Sequence, residues 1–149
     1  MRRFRFPLER VLWHRHRLED LAHQALGRAQ REEQEVLGEL AEVQARSADA
    51  AATLRATLAQ PTAGDEVLLH ARFVAGLAGR QAGLVGRRIE VAALVEERRL
   101  ALQERWRSRE AVASLRARAL ARHRKAEERE LQLALDETAG VRHTRRAES

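Results

Sequence analysis

The chain has 149 residues, a formal net charge of +6 and no cysteine, which excludes disulfides and thiolate metal sites. Charged residues make up 34% of it and aromatic residues 3%, a composition that suits long helices better than a compact globule with a broad core. The longest apolar runs have about five residues, and no apolar signal segment follows the basic N-terminus, so we expect no transmembrane segment, no signal peptide and a cytoplasmic location.

Positive charge is concentrated in the second half of the chain. Residues 98–125 hold ten basic residues against two acids, Glu104 and Glu110. Such a stretch either binds an acidic partner, such as a nucleic acid, an anionic lipid or an acidic protein, or forms a solvated helix face. Trp106 is the only aromatic residue within it and no groove-reading motif is visible, so we consider nucleic acid an unlikely partner.

The first predicted helix spans residues 7–59 and follows an N-terminal arm of residues 1–6. Pro7 suits the first turn of a helix, and no other proline occurs before residue 60. Apolar or small residues then recur at alternating steps of four and three, which is the heptad pattern of a coiled coil. This seam is interrupted only by Glu33 and consists of Ala22, Leu26, Ala29, Val36, Leu40, Val43, Ser47, Ala50 and Leu54.

A turn is predicted at residues 60–65. Pro61 disfavours the α conformation at Gln60, and Gly64 tolerates turn geometry. Thr62 or Asp65 can cap the following helix. The stretch is compatible with an interdomain linker, but its length favours the connection of an antiparallel hairpin.

The second predicted helix spans residues 66–139, and Gly140 is its expected stop before a disordered basic tail of residues 140–149. Arginines lie on or beside its seam. The predicted seam residues are Phe73, Leu77, Leu84, Val91, Leu94, Ala101, Val112, Leu115, Ala119, Ala126 and Leu133.

The predicted fold is therefore all-α: a long antiparallel two-helix coiled-coil hairpin whose second helix is longer and overhangs. If paired residue numbers add to about 125, helix two has no partner beyond about residue 118. That overhang carries leucines, so we expect either fraying or a partner that covers it. Four glycines between residues 76 and 86 form a stripe that indicates either close approach of another backbone or an unconstrained face.

Residues for catalysis are not apparent. Lys125 is the only lysine and no glycine-rich phosphate loop precedes it. His123 and Glu127 are four apart and can share a helix face, but this pair is incomplete as a metal site. A two-helix hairpin has no deep pocket in which carboxylates could be tuned. We predict no enzyme activity, no cofactor and no metal.

Three short motifs carry a family resemblance. The start Phe4-Arg5-Phe6-Pro7-Leu8-Glu9-Arg10-Val11-Leu12, the step Trp106-Arg107 and the stretch Leu135-Asp136-Glu137-Thr138-Ala139 occur in this order. Together they resemble the bacterial flagellar FliJ family over the whole chain.

The resemblance implies a component of the flagellar type III protein export apparatus. It implies a central stalk that promotes assembly of the hexameric export ATPase ring, contacts the cytoplasmic domain of the membrane export gate and handles flagellar export chaperones, peripherally at the inner face of the cell membrane. By the same likeness, the ATPase-binding residues are Leu8, Val11, Leu12, Leu18, Asp136 and Glu137. The export-gate-binding residues are Val43, Phe73, Leu77 and Leu84.

Three alternatives stay open at this stage. One is the equivalent stalk of a virulence type III secretion system. Another is a basic coiled-coil protein that binds nucleic acid. The third is a homodimer that pairs two overhangs into a bundle.

Overall fold

A computed structural model describes residues 3–147, with side chains described for residues 3–140. Two α-helices occupy nearly all of it: α1 at Glu9–Leu58 and α2 at Gly64–Ala147. They pack antiparallel as a coiled-coil hairpin, and α2 with 84 residues is much longer than α1 with 50. The predicted fold class is confirmed, and within the described residues no helix has a stretch long and apolar enough to cross a membrane.

Pro7 lies in the turn that leads into α1. The backbone N–H of Glu9 donates to the carbonyl of Phe6 at 3.2 Å, and that of Leu12 donates to the carbonyl of Leu8 at 2.9 Å. Proline has no N–H and its fixed φ suits this entry. The negative side chain of Glu9 then sits at the positive end of the helix dipole.

The connection between the helices differs from the predicted capping. The Thr62 hydroxyl donates to the carbonyls of Thr57 at 2.9 Å and Gln60 at 3.2 Å, so it satisfies acceptors at the end of α1. The carbonyl of Ala63 accepts from the N–H groups of Glu66 and Val67. Ala63 is therefore the N-cap residue that precedes the first residue of α2, Gly64, and the prediction that Thr62 or Asp65 caps this helix is wrong.

α2 continues through Gly140 to Ala147, where the sequence predicted a stop and a disordered tail. A helix-ending glycine normally adopts positive φ, and no described glycine does. An interior glycine costs only about 1 kcal/mol relative to alanine, which does not end a helix in the absence of proline. Residues 148 and 149 of the predicted tail lie outside the described residues.

Two compact units divide the hairpin: a terminal unit of residues 1–19 with 104–149, and a central unit of residues 20–103. In the central unit, α1 buries the predicted seam residues Ala29, Val36, Leu40, Val43 and Ala50. From α2, Leu77 and Val91 are buried, and Val91 is only 1% exposed. Arg87 pairs with Glu32, and Arg80 with Glu39 at 3.9 Å.

Several residues predicted for the seam of α2 are exposed, and in most cases the residue that follows is half-buried instead. Leu77, Val91 and Val112 are buried as expected, while the half-buried positions in between include the polar His70, Gln81, Arg109, Arg116 and His123. Predicted seam residues that are instead exposed are Phe73, Ala101, Leu115, Ala126 and Leu133. The sequence reading followed the apolar side chains, whereas the helix period places polar ones against α1.

In the terminal unit, Leu12 and Val112 are buried and an ion pair lies beside them. Nε of Arg109 donates to Oε2 of Glu19 at 2.5 Å, and both side chains are less than a fifth exposed. The hydrogen bond to Glu19 raises the pKa of Arg109 further above its ordinary value. Arg15 donates to the carbonyl of Ser108 at 2.5 Å, so a second arginine of this unit also has a partner on the opposite helix.

The overhang begins further along α2 than predicted. The aromatic ring of Phe4, in the arm, packs edge-on against the ring of His123 with centroids 5.5 Å apart. The arm therefore extends the contact of α2 about one turn beyond residue 118. Every residue from 128 to 139 is exposed.

The buried ion pair predicts an unequal response to two acidic substitutions. Glu19→Ala leaves the largely buried guanidinium of Arg109 with only the exposed carboxylate of Glu110 as a partner, so we expect the free energy of unfolding to fall by about 1–3 kcal/mol. Glu42→Ala removes an exposed partner of Arg46 and should cost less than about 0.5 kcal/mol. Urea denaturation followed by circular dichroism measures both. Equal losses for the two variants would contradict the role given to Glu19.

The glycine stripe predicts a gain in stability. A Cβ added at Gly79 or Gly83 meets no described atom within 4 Å, and alanine is favoured over glycine by about 1 kcal/mol in a helix interior. The double variant Gly79→Ala with Gly83→Ala should therefore raise the free energy of unfolding by about 1–2 kcal/mol. The reverse change at a neighbouring exposed position, Ala78→Gly, should lower it; a destabilised double variant would mean that something lies against this face.

Candidate interaction surfaces

The N-terminal arm lies against α2 in the terminal unit. Phe4 and Phe6 are half-buried, and the arm and Arg116 border an open cleft of about 390 Å³ that Arg3, Arg5 and Glu9 also line. Nε of Arg116 donates to Oε2 of Glu9 at 2.9 Å, so one acid offsets part of this positive surface. The sequence identified residues 1–6 as an N-terminal arm but did not predict its contact with α2.

A signal for that contact was present in the sequence. Arg109, Arg116 and His123 are spaced by seven residues, which places them on one stripe of a coiled-coil helix. Their contacts lie in the arm and in the first part of α1: Arg109 contacts Glu19, Arg116 contacts Glu9 and His123 contacts Phe4. Polar residues at heptad spacing opposite acids indicate a cross-helix ladder.

The residues predicted to bind the ATPase differ in accessibility. Leu8 and Val11 are exposed at 39% and 38%, whereas Leu12 is buried and Leu18 half-buried between the helices. Asp136 and Glu137 are exposed on the overhang. These acids lie twenty residues beyond Arg116, the partner of Glu9, which is about 30 Å along a helix. The terminal unit therefore presents two separate surfaces and does not bring the six residues together.

The basic stretch is divided by its ion pairs. Within the terminal unit, Arg109 and Arg116 are paired with acids of α1. Further along α2 lies a basic cluster that we define as Arg118, Arg122, Arg124 and Lys125. All four side chains are exposed, and among the described residues none has an ion-pair partner. This cluster is the part of the stretch that is accessible to an acidic ligand.

The residues predicted to bind the export gate lie in the central unit. Val43 and Leu77 are buried in the seam, and Leu84 is half-buried. Phe73 is 57% exposed. It lines a largely apolar cavity of about 410 Å³. The other lining residues are Ala50, Thr53, Leu69 and His70.

Further apolar side chains are exposed near this cavity in sequence. Leu58, Leu68 and Leu69 are 61%, 49% and 67% exposed. Sequence reasoning selected Phe73 but passed over Leu69, four residues before it and hence on the same helix face. The pattern Leu69-x-x-x-Phe73 indicates an exposed apolar pair on one helix face. The sequence analysis missed it because it assigned Phe73 to the buried seam.

His123 and Glu127, the incomplete metal pair of the sequence, share a helix face. His123 Nδ1 lies 3.5 Å from Oε2 of Glu127. Within residues 3–140, histidines and acids nowhere form a group of three or more that could hold a metal ion. The His123 ring is instead used in the contact with Phe4.

Comparison with known proteins agrees with this geometry. A structure of CT670 from Chlamydia trachomatis, described as a YscO homolog, superposes with a TM-score of 0.53 at 18% identity and covers 99% of each chain. At this level of identity, the likeness shows a common fold only. No curated protein sequence matches the chain. The family model described as Flagellar FliJ protein matches residues 4–148. The chain belongs to the flagellar FliJ family.

Proposed function

We propose that this protein is a non-enzymatic stalk of the bacterial flagellar type III export apparatus. In this role it promotes assembly of the hexameric export ATPase ring and links the ring to the cytoplasmic domain of the membrane export gate. The single observation that carries the proposal is the match of the FliJ family model to residues 4–148. A two-helix hairpin over the same residues supports it, because such a fold offers long surfaces rather than a pocket.

The same proposal includes the cellular setting. The protein works in the cytoplasm, associates peripherally with the membrane at the flagellar basal body and exchanges export chaperones. Through flagellar assembly it serves motility and chemotaxis. No catalytic residue, cofactor or metal is assigned.

For the ATPase contact, we assign roles by exposure. Leu8, Val11, Asp136 and Glu137 are exposed and make direct contacts in the proposal. Leu12 and Leu18 lie between the helices and support the surface from beneath. The basic cluster provides a further surface for acidic loops of a ring, since unpaired arginines attract such loops over several ångströms.

For the gate contact, we assign Phe73 as the anchor. Its ring is more than half exposed and borders an apolar cavity, and aromatic side chains beside pockets dominate many protein interfaces. Val43, Leu77 and Leu84 are at least half-buried in the seam. Their proposed role is to hold α1 and α2 together beneath this surface.

A virulence secretion stalk and a nucleic-acid-binding protein have less support than a flagellar export stalk. The likeness to the YscO homolog is at 18% identity and therefore concerns the fold, so it does not favour a virulence secretion system. The nucleic-acid alternative rests on the basic stretch, two of whose arginines are already neutralised by Glu9 and Glu19.

The ATPase role predicts stimulation by the full chain. We expect substoichiometric protein to raise the turnover of the purified export ATPase and to increase the number of rings seen by electron microscopy. Reversal of three exposed charges, Arg118→Glu, Arg122→Glu and Arg124→Glu, should lower the stimulation by at least about fivefold, since several charge contacts are lost.

A matched control is available in the central unit. Arg28→Glu, Arg31→Glu and Arg55→Glu change the net charge equally at exposed positions of α1 and should leave stimulation intact. No stimulation by the unmodified chain would remove the ATPase role. Equal losses in both triple variants would remove the specific role of the basic cluster.

The gate role predicts a selective loss at Phe73. Phe73→Ala should weaken binding to the isolated gate domain by at least about fivefold, because truncation of an interface anchor costs 1 kcal/mol or more. Ile89→Ala removes a similarly exposed side chain of the same helix, at 66% exposure, and should have little effect. Calorimetry measures both. Undiminished binding by Phe73→Ala would exclude it as the anchor.

A further inference from the structure

A row of positive side chains runs along one face of α2 in the terminal unit. Its four residues, which we call the cationic stripe, are Arg118, Arg122, Lys125 and Arg129. They are spaced by four, three and four residues, so they lie one above another on a single helix face and cover about 16 Å of its length. All four side chains are exposed.

The contacts of the terminal unit show which way this stripe points. Arg116 donates to Glu9, at the start of α1, and Arg118 follows two residues later, about 160° around the helix axis. The same step separates Lys125 from His123, whose ring contacts the arm. The stripe therefore lies on the side of α2 opposite α1 and the arm, where neither covers it.

Negative charge is absent from the stripe itself. Of the two acids between residues 118 and 129, Glu127 is half-buried beside His123, with Oε2 3.5 Å from Nδ1. Glu128 lies about 80° to one side of the stripe. The next charged residue on the same line is Asp136, about two turns beyond Arg129. Among the described residues, no stripe side chain has an ion-pair partner.

This arrangement is unfavourable while the stripe has no ligand. Each of its members has a like-charged neighbour three or four residues away, and like charges at these spacings destabilise a helix. A negative ligand laid along the stripe removes this repulsion and gains a charge contact at nearly every turn. The geometry therefore suits an extended negative surface better than a single ion.

The side chains around the stripe distinguish a lipid surface from a protein. The apolar neighbours of the cations between residues 118 and 129 are Ala121 and Ala126, so the centre of this face has no large apolar side chain. Protein interfaces bury such side chains at their centre and place charges at the rim. Here the charges occupy the centre, which favours a ligand bound by charge alone.

The flank of the stripe distinguishes a lipid surface from a nucleic acid. Leu115 and Leu133 are 47% and 64% exposed, and they lie on one side of the stripe, five turns apart and about 60° from it. Cations on one face with apolar side chains beside them are the pattern of helices that lie on anionic membranes. A planar bilayer also meets all four cations at once, whereas the phosphates of a duplex wind away from a straight helix.

We propose that the cationic stripe binds the headgroups of an anionic lipid bilayer, with this part of α2 lying along the membrane surface. Each Lys or Arg near such a surface strengthens binding about fivefold, so four of them give reversible attachment. Three of the four residues also belong to the basic cluster, so lipid competes there with any acidic loop. The proposal gives the peripheral membrane association a chemical basis but does not rest on it, because vesicle binding requires no export partner.

The first test is cosedimentation of the full chain with lipid vesicles at about 0.1 M salt. We expect binding to phosphatidylcholine vesicles that contain about 30% phosphatidylglycerol, and at least about tenfold weaker binding to pure phosphatidylcholine. Replacement of the whole stripe, Arg118→Gln, Arg122→Gln, Lys125→Gln and Arg129→Gln, should weaken binding to the anionic vesicles by at least about twentyfold. Absence of binding by the unmodified chain, or equal binding to both vesicles, overturns the proposal and leaves the stalk role untouched.

A charge-matched control is available in the central unit. Arg28→Gln, Arg31→Gln, Arg55→Gln and Arg72→Gln remove the same charge from exposed positions and should change vesicle binding by less than about twofold. Equal losses in the two quadruple variants would mean that net charge, and not the stripe, attracts the lipid. Circular dichroism verifies that both variants remain helical, and the stripe variant should melt no lower than the unmodified chain because like-charge repulsion is removed.

The second test compares two reversals that differ only in helix face. Arg122 lies in the stripe, and the exposed Arg124 lies about 160° around the axis from it. Arg122→Glu should weaken binding to the anionic vesicles by at least about fivefold, and Arg124→Glu by less than about twofold. Equal losses contradict a face-specific contact. Tighter binding to a DNA duplex than to anionic vesicles at the same phosphate concentration would identify nucleic acid as the ligand and overturn the proposal.

Discussion

Short side chains hold the two helices together, and most other features of the molecule follow from this. The buried residues of the central unit are mainly alanine and valine, with two leucines. A buried methylene contributes about 0.8 kcal/mol, so a seam of such residues stabilises the pairing of α1 and α2 only modestly per turn. It also specifies the register weakly, because similar small side chains recur at every heptad.

Charged residues at and beside the seam supply the missing specificity. In the terminal unit, Glu19 meets Arg109 and Glu9 meets Arg116. In the central unit, Glu32 meets Arg87 and Glu39 lies near Arg80. A slip of one heptad keeps some of these pairs, because arginines recur at heptad spacing, but it breaks others: in one direction Leu102 comes opposite Glu19, and in the other Leu94 comes opposite Glu32. A buried Glu19 without a partner costs far more than an exposed pair contributes. The register is thus set by charges and the burial by small residues.

This division of roles explains what could be predicted from the sequence. The seam of α1 could be predicted because its apolar residues keep heptad spacing, and Ala29, Val36 and Leu40 are buried as expected. The seam of α2 was read incorrectly at Leu115, because the polar Arg116 occupies the position that faces α1. It was also read incorrectly at Phe73, where the following Val74 is the half-buried residue, and at Leu133, which lies on the overhang. Hydrophobicity alone could not reveal this; only the complementarity of Arg109 and Arg116 with acids on the other helix does. The hydrogen bond of Thr62 to the end of α1 and the continuation of α2 through Gly140 depend on backbone geometry and on small energy differences. A residue pattern does not specify either.

For the candidate site, the sequence identified a family and a set of residues, and burial now separates their roles. Leu12, Val43 and Leu77 lie inside the hairpin and can affect a partner only through the shape of the surface above them. Phe73, Leu8 and Val11 remain accessible. Substitution of a buried residue therefore changes the stability of the hairpin together with any binding, whereas substitution of an accessible residue tests the contact alone.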